Sequence, residues 1–123
     1  METGKRLRIE KIVGKDDTAA SYGSGLLEVF STPAMIALME KSAHLLAKSM
    51  LDPQYDTVGT EVNIKHLRAT PLKASVSAEA ELISVDGRKL VFKVSANDSI
   101  GEIGNGIHIR YIIDPIKFMS KLN

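Results

Sequence analysis

Cysteine is absent from the chain. Its absence excludes thiol catalysis, cysteine-ligated metals and disulfides, and leaves the redox compartment open. An excess of charge of either sign is also missing: Lys and Arg number 16 and Asp and Glu 15, for a net charge of +1. Nothing in that balance favours nucleic acid as a partner, and no block of like charge forms an interaction tail. No apolar run approaches the ~18 residues of a membrane span. The opening stretch METGKRLRIEKIVG has no apolar core of signal-peptide length. The expectation is a cytoplasmic protein without a membrane or nucleic-acid partner. Three histidines, His44, His66 and His108, lack metal-ligand spacing, and only His66 falls on a clearly inward face, so no metal site is expected. GSG at 23–25 and GNG at 104–106 do not open a helix in a strand–loop–helix unit, so neither is a phosphate loop. Repeats, low-complexity tracts and linkers are missing.

What is present is enough for one compact domain, 1–123, with 44% hydrophobic and 25% charged residues. A domain of this size leaves much apolar surface to cover, which favours dimerisation. Residues 5–13 alternate as a half-buried strand, and GKDDTAASYGSG reads as a loop. A helix is predicted over 33–50, with Ser31 or Thr32 as N-cap and Pro33 at N1. At about 100° per residue, Met35, Met39, Ala43, Leu46 and Met50 share a face, which Ile36 and Ala47 widen. Glu40 sits just beyond that edge, and Lys41, His44 and Lys48 fall on the wet side. Asp52-Pro53 ends the helix.

The period then changes to two. Val58, Thr60, Val62, Ile64 and His66 share one strand face, with Gly59, Glu61, Asn63 and Lys65 on the other. Thr70-Pro71 breaks the strand, and either a hairpin or a crossover fits there. Residues 74–85 alternate with Val76, Ala78, Ala80 and Leu82 inward. Asp86-Gly87 marks a hairpin into a strand with Leu90, Phe92, Val94 and Ala96 inward. A turn at Asn97-Asp98-Ser99 leads to IGNGIHIRYII, where Ile107, Ile109, Tyr111 and Ile113 share a face. Gly104 and Gly106 there mark a bulge or a close backbone approach. The tail IKFMSKLN reads as a short helical turn. Strand, long helix and four strands predict an α+β fold, an antiparallel sheet wrapped around one central helix.

Three residues stand out, and each has an ordinary explanation. Glu40 reads as a rim carboxylate, His66 as a hydrogen-bonded core histidine, and Thr32 as a helix cap. Together they form a set, because a hydroxyl, a carboxylate and an imidazole are the parts needed for acyl transfer.

The sequence resembles the hotdog-fold thioesterases, and within them the fluoroacetyl-CoA thioesterase-like family. The resemblance is carried by EVFSTPAMIALMEKSAH, TVGTEVNIKHLRATP and AEAELISVDGRKLVFKVSANDSIGEIGNGIHIRYIID. It implies an active site at Thr32, Glu40 and His66, with Gly59 at the thioester. At Leu26 the chain departs from the aromatic lid residue of the specialised fluoroacetyl enzyme, so selectivity for a fluorinated substrate is not carried over. The hydratase motif of other hotdog proteins is missing.

The implied reaction is hydrolysis of a small acyl-CoA thioester without a cofactor. Glu40 would act as nucleophile or general base, assisted by His66 and Thr32, and the Gly59 N–H would face the oxyanion. Lys65 and Arg68 are candidate phosphate contacts, for which solvated surface is an equally good explanation. Thr32 and Glu40 lie eight residues apart, about 12 Å along a helix. A homodimer, or a dimer of dimers, joined through the strand after the helix would bring the parts together. The alternatives are a non-catalytic acyl-CoA-binding or regulatory module, and a thioesterase acting on acyl carrier protein.

Overall fold

A computed structural model describes all residues 1–123. Strand β1 (Arg6–Ile12) leads through a 3-10 turn at Lys15–Asp17 and a short helix α1 (Ala19–Tyr22) into the long helix α2 (Thr32–Met50). Four strands follow, β2 (Asp56–His66), β3 (Ser75–Asp86), β4 (Lys89–Asp98) and β5 (Glu102–Ile113), and then helix α3 (Pro115–Ser120). No helix is long and apolar enough to cross a membrane.

The five strands form one sheet in the order β1-β3-β4-β5-β2, with every neighbouring pair antiparallel. The break at Thr70-Pro71 therefore carries a crossover, because β2 and β3 lie in different parts of the sheet. β2 ends up as an edge strand with one side of its backbone free. The fold is the α+β hotdog arrangement expected from the sequence, with α2 packed across the inner face of the sheet.

The inner face of β3 and β4 follows the simple alternation of the sequence. Val76, Ala78, Ala80, Leu82, Leu90, Phe92, Val94 and Ala96 are all buried. They pack against Ala34, Met35, Leu38, Met39, Ala43, Leu46 and Ala47 of α2. Ser31, not Thr32, caps that helix: its hydroxyl accepts from the Ala34 N–H at 3.1 Å. Thr32 is thus the first helical residue and its hydroxyl is released for other use. Ala34, Leu38 and Ser42 extend the buried stripe of α2. Its opposite flank, Thr32, Ile36, Glu40, His44 and Lys48, forms a ridge at every fourth residue that runs along edge strand β2.

β3 breaks its alternation only past Leu82, where Ile83 is skipped in the pairing with β4, whereas β2 and β5 depart from it along the site. In β2 the register shifts between Gly59 and Glu61, so Thr60 is a bulge residue and its hydroxyl bonds the Ile109 carbonyl at 3.3 Å. Upstream of the bulge, Thr57 and Gly59 face inward instead of Val58 and Thr60; downstream, Val62, Ile64 and His66 face inward as expected. In β5 the inner face is Gly104, Gly106, His108 and Arg110, while Ile107, Ile109 and Tyr111 point outward. His108, which the sequence does not place on a clearly inward face, is 1% exposed and Arg110 is 7% exposed.

Gly106 marks a close approach, and Gly104 both a close approach and the edge of a bulge, because the β4–β5 register shifts beside it, between Ala96 and Asn97, while β2 and β5 pair regularly there. A Cβ on Gly104 would stand 2.6 Å from the Met35 Cε, so this glycine lets α2 settle on the sheet. A Cβ on Gly106 would stand only 2.0 Å from the Asn63 carbonyl oxygen. Backbone cannot rotate away as a side chain can. Gly106→Ala should therefore cost at least about 1–3 kcal/mol, read as a lowered Tm in calorimetry. An unchanged Tm would contradict this close approach of β2 and β5.

Candidate functional site

The ridge of α2 makes successive contacts along β2 and the neighbouring end of β5. At its N-terminal end the Thr32 hydroxyl lies 2.8 Å from His66 Nδ1. Glu40 faces Gly59 and His108. Further along, His44 Nε2 meets Asp56 Oδ1 at 2.7 Å, and the Lys48 ammonium donates to the Tyr55 carbonyl at 2.5 Å. His44 and Lys48 are thus partly covered by β2 and its approach, not on a fully wet face.

Around Glu40 the chain builds a charged cluster that sequence reasoning missed. His108 Nδ1 donates to the Glu61 carbonyl at 2.8 Å. Its Nε2 accepts from Arg110 Nη1 at 3.1 Å, which requires the neutral imidazole. Burial holds His108 below the usual imidazole range; its bond to Glu61 opposes this, and the charge of Arg110 adds to the lowering. Arg110 also donates from Nε to the Thr57 hydroxyl at 2.8 Å and from Nη2 to the Thr57 carbonyl at 3.0 Å. The guanidinium is thereby fixed in a buried position, and burial lowers its pKa against the opposing charges of Glu40 and Asp56. Glu40 Oε2 stands 4.0 Å from His108 Nε2, beyond hydrogen-bond reach, and its side chain is 40% exposed.

Gly59 closes this cluster. A Cβ there would lie 3.0 Å from Glu40 Oε2, 3.0 Å from His108 Cε1 and 3.2 Å from Arg110 Nη1. The missing side chain leaves a small space bounded by a carboxylate, a neutral imidazole and a guanidinium. The signal in the sequence was the shared phase of Gly104, Gly106, His108 and Arg110, hidden because the other phase of β5 is rich in isoleucine.

The Thr32–His66 pair stands apart from the Glu40 cluster within the chain. It opens on a cleft of about 500 Å³ that also includes Val29, Phe30 and Arg68. His66 Nε2 is buried and has no hydrogen-bond partner. Burial also holds this imidazole below its usual range, against a backbone contact with Arg68. A hydroxyl 2.8 Å from an imidazole is the spacing of a nucleophile or polarised donor with its base. Thr32 and His66 come together, but Glu40 meets neither of them in the chain by itself.

The remaining candidates are scattered. Leu26 is 93% exposed on the loop before α2. Lys65 is exposed on the outer face of β2. Arg68 donates from Nη2 to Asp98 Oδ1 at 2.6 Å and to the Gly101 carbonyl at 3.3 Å. Thr70 adds a hydroxyl to the same carboxylate at 2.9 Å. Arg68 is thus a clamp between the β4–β5 turn and the loop after His66. Its bond holds the Asp98 carboxyl far below the ordinary carboxylate range.

These shifts fix how the fold responds to acid. His66 and His108 are neutral when folded, with pKa values below the unfolded value of about 6.5. Their contribution is complete above that pH and is lost as pH falls through the folded values. Asp98 adds a second loss, beginning below about pH 4. Urea midpoints measured from pH 7.5 down to 3 should fall in these two steps. A flat profile between about pH 6.5 and 5 would mean that neither histidine is held neutral by the fold.

Residues 13–115 match the family model FlK, fluoroacetyl-CoA-specific thioesterase. The chain belongs to this family of thioester hydrolases. Over 95 residues it is 41% identical to the fluoroacetyl-CoA thioesterase of Streptantibioticus cattleyicolor, covering 77% of this chain and 68% of that protein. A solved mutant of the thioesterase FlK in complex with fluoroacetate and CoA superposes with a TM-score of 0.89 at 35% identity, covering 96% of this chain and 99% of that one. A hot-dog-like protein from Thermanaerovibrio acidaminovorans has a TM-score of 0.90 at 22% identity, covering 99% and 90%, and shares the fold.

Proposed function

We propose that this member of the family hydrolyses a small acyl-CoA to the free acid and CoA, at a site shared between two copies of the chain. The observation that carries the proposal is the side-chain-free space at Gly59, bounded by the Glu40 carboxylate and the Arg110 guanidinium. A thioester carbonyl fits there against the backbone, with the Gly59 N–H as oxyanion donor and Arg110 as a nearby positive charge. Acting as base, Glu40 takes a proton from a water that attacks the carbonyl carbon; the C–S bond breaks and the sulfur takes up a proton. Acting as nucleophile, it forms a mixed anhydride with release of the thiol, and water then cleaves the anhydride.

Thr32 and His66 join this site from a second chain. The free edge of β2 is suited to two-fold antiparallel pairing with its own copy. An axis passing at Asn63 pairs Val62 with Ile64 and Glu61 with Lys65 and, with bulged Thr60 left out of the ladder, sets Gly59 opposite the partner's His66 on the same face of a continuous sheet. His66 would then assist proton transfer at the bound thioester or water, and Thr32 would orient the ring. Leu26, on its exposed loop, would border the acyl group, and Lys65 and Arg68 remain candidate contacts for the phosphates.

The test is release of free thiol from a panel of acyl-CoAs of increasing chain length, with the same acyl groups on acyl carrier protein as the second arm. Turnover of short acyl-CoAs above the carrier-protein substrates is expected. Binding of CoA esters without thiol release would make the protein a non-catalytic module, and preference for the carrier protein would change the substrate.

A further inference from the structure

A small basic concavity lies at the far end of the ridge, where β2 begins and β5 ends. Its volume is about 160 Å³, and its lining includes Tyr55, Arg88, Ile112, Lys117, Phe118 and Lys121, with Asp114 at the rim. Arg88 comes from the β3–β4 turn, which is tied down because its carbonyl accepts from the Ile112 N–H at 2.9 Å. Lys117 comes from α3 and Lys121 is the C-cap residue at its end, four residues on and on the same side. None of the ion pairs in the chain involves these three cations. The one carboxylate in the lining, Asp114, is occupied as the cap of α3, accepting from the Ile116 and Lys117 N–H groups at 3.1 and 3.3 Å.

The orientation of α3 is the unexpected part. Ile116 and Met119 remain 83% and 58% exposed. Burial of apolar area alone would turn these residues toward the sheet. Instead α3 presents Phe118 with two lysines to the concavity. An apolar floor, an aromatic ring and three unpaired donors make a combination suited to a phosphorylated nucleotide: cations for phosphate oxygens, a flat face for the base. The position fits as well. Tyr55 lies four residues before Gly59, roughly 13 Å along the strand direction at about 3.3 Å per residue. An extended arm could bridge that gap between nucleotide and thioester.

We propose that Arg88, Lys117 and Lys121 anchor the 3′-phosphorylated adenosine diphosphate end of the acyl-CoA, a step that rests on the thioesterase activity proposed above. The anchor grips a part of the substrate that does not react, so it acts on KM rather than on kcat.

The test compares two substrates with the same acyl group, acyl-CoA and acyl-pantetheine, which lacks the nucleotide. In Lys117→Glu/Lys121→Glu, KM for acyl-CoA should rise at least about tenfold at low salt, with kcat within about twofold. Acyl-pantetheine kinetics should not change, and the acyl-CoA effect should shrink as salt screens the charges. Arg88→Gln provides the same comparison through a different element if the double variant does not fold. Equal changes for both substrates, or no change for either, would overturn the anchor. Calorimetry with adenosine 3′,5′-bisphosphate separates this from the activity. If the protein cleaves no thioester but binds the bisphosphate, and loses that binding in the variants, the anchor stands and the hydrolase proposal falls. If the bisphosphate does not bind and the variants leave acyl-CoA kinetics intact, the anchor falls by itself.

Discussion

Glu40→Gln should reduce kcat by about 10²–10⁴, the usual loss for a positioned base, and by more if Glu40 is the nucleophile. The substitution keeps the shape of the side chain and removes its charge and basicity. Affinity for a non-hydrolysable acyl-CoA analogue should change far less, because most of that ligand lies away from the reacting carbon. The Tm should change little. Glu40 is partly exposed, and Arg110 keeps its bonds to Thr57 and His108 without it. If Glu40 served only to balance the buried Arg110, the pattern would invert, with kcat retained and Tm lowered. Measuring kcat, analogue affinity and Tm on one preparation separates the two roles, and an unchanged kcat in a folded variant would return Glu40 to ordinary helix surface.

Mixing two inactive chains should restore activity. In a dimer of the proposed geometry, each site takes Thr32 and His66 from one chain and Glu40 with Gly59 from the other. A His66→Ala chain and a Glu40→Gln chain are each impaired as homodimers. In their heterodimer one site collects both substitutions, and the other collects none. Random exchange of equal amounts should thus bring back about a quarter of the wild-type rate, far above either variant alone. If Thr32, His66 and Glu40 of a single chain formed one site, every site in the mixture would stay impaired and no activity would return. Native mass spectrometry of the same mixture, which resolves the heterodimer from the two homodimers, checks that exchange took place; a fully active monomer in light scattering would also remove the shared site.

The extent to which this fold could be read from its sequence varies from strand to strand, for physical reasons. β3 and β4 are in the middle of the sheet and face an apolar helix stripe, so every second residue is aliphatic or aromatic and alternation identifies the core directly. β5 gives no inward face from its sequence, because the inner face meets charged groups and a close-packed neighbour. It needs Gly104 under Met35, Gly106 against Asn63, and polar His108 and Arg110 beside Glu40. Its isoleucines are left to the outer face, where they imitate a core. Thr32 and His66 were legible as residue types, but not as a bonded pair. That pairing depends on Ser31 taking the cap, which two adjacent hydroxyls leave open in a sequence. The Glu40 environment was half legible: its helix position and Gly59 could be named, whereas the Arg110–Thr57–His108 support comes from strands far apart in the chain.

The bulge at Thr60 affects angle rather than inventory. Gly59 still pairs with Arg110, and Glu61 with Ile109, on either side of it. Deleting Thr60 would therefore leave every ladder partner, charge and candidate group in the chain. It would remove only the local bend and extra twist that a bulge adds. The stretch carrying Gly59 would then swing relative to the stretch carrying His66, and in a two-fold pair each swing would be repeated across the axis. Thr60 is in effect a hinge pin: it sets the angle between the stretch that carries Gly59 and the stretch that carries His66 without adding a rung to the ladder.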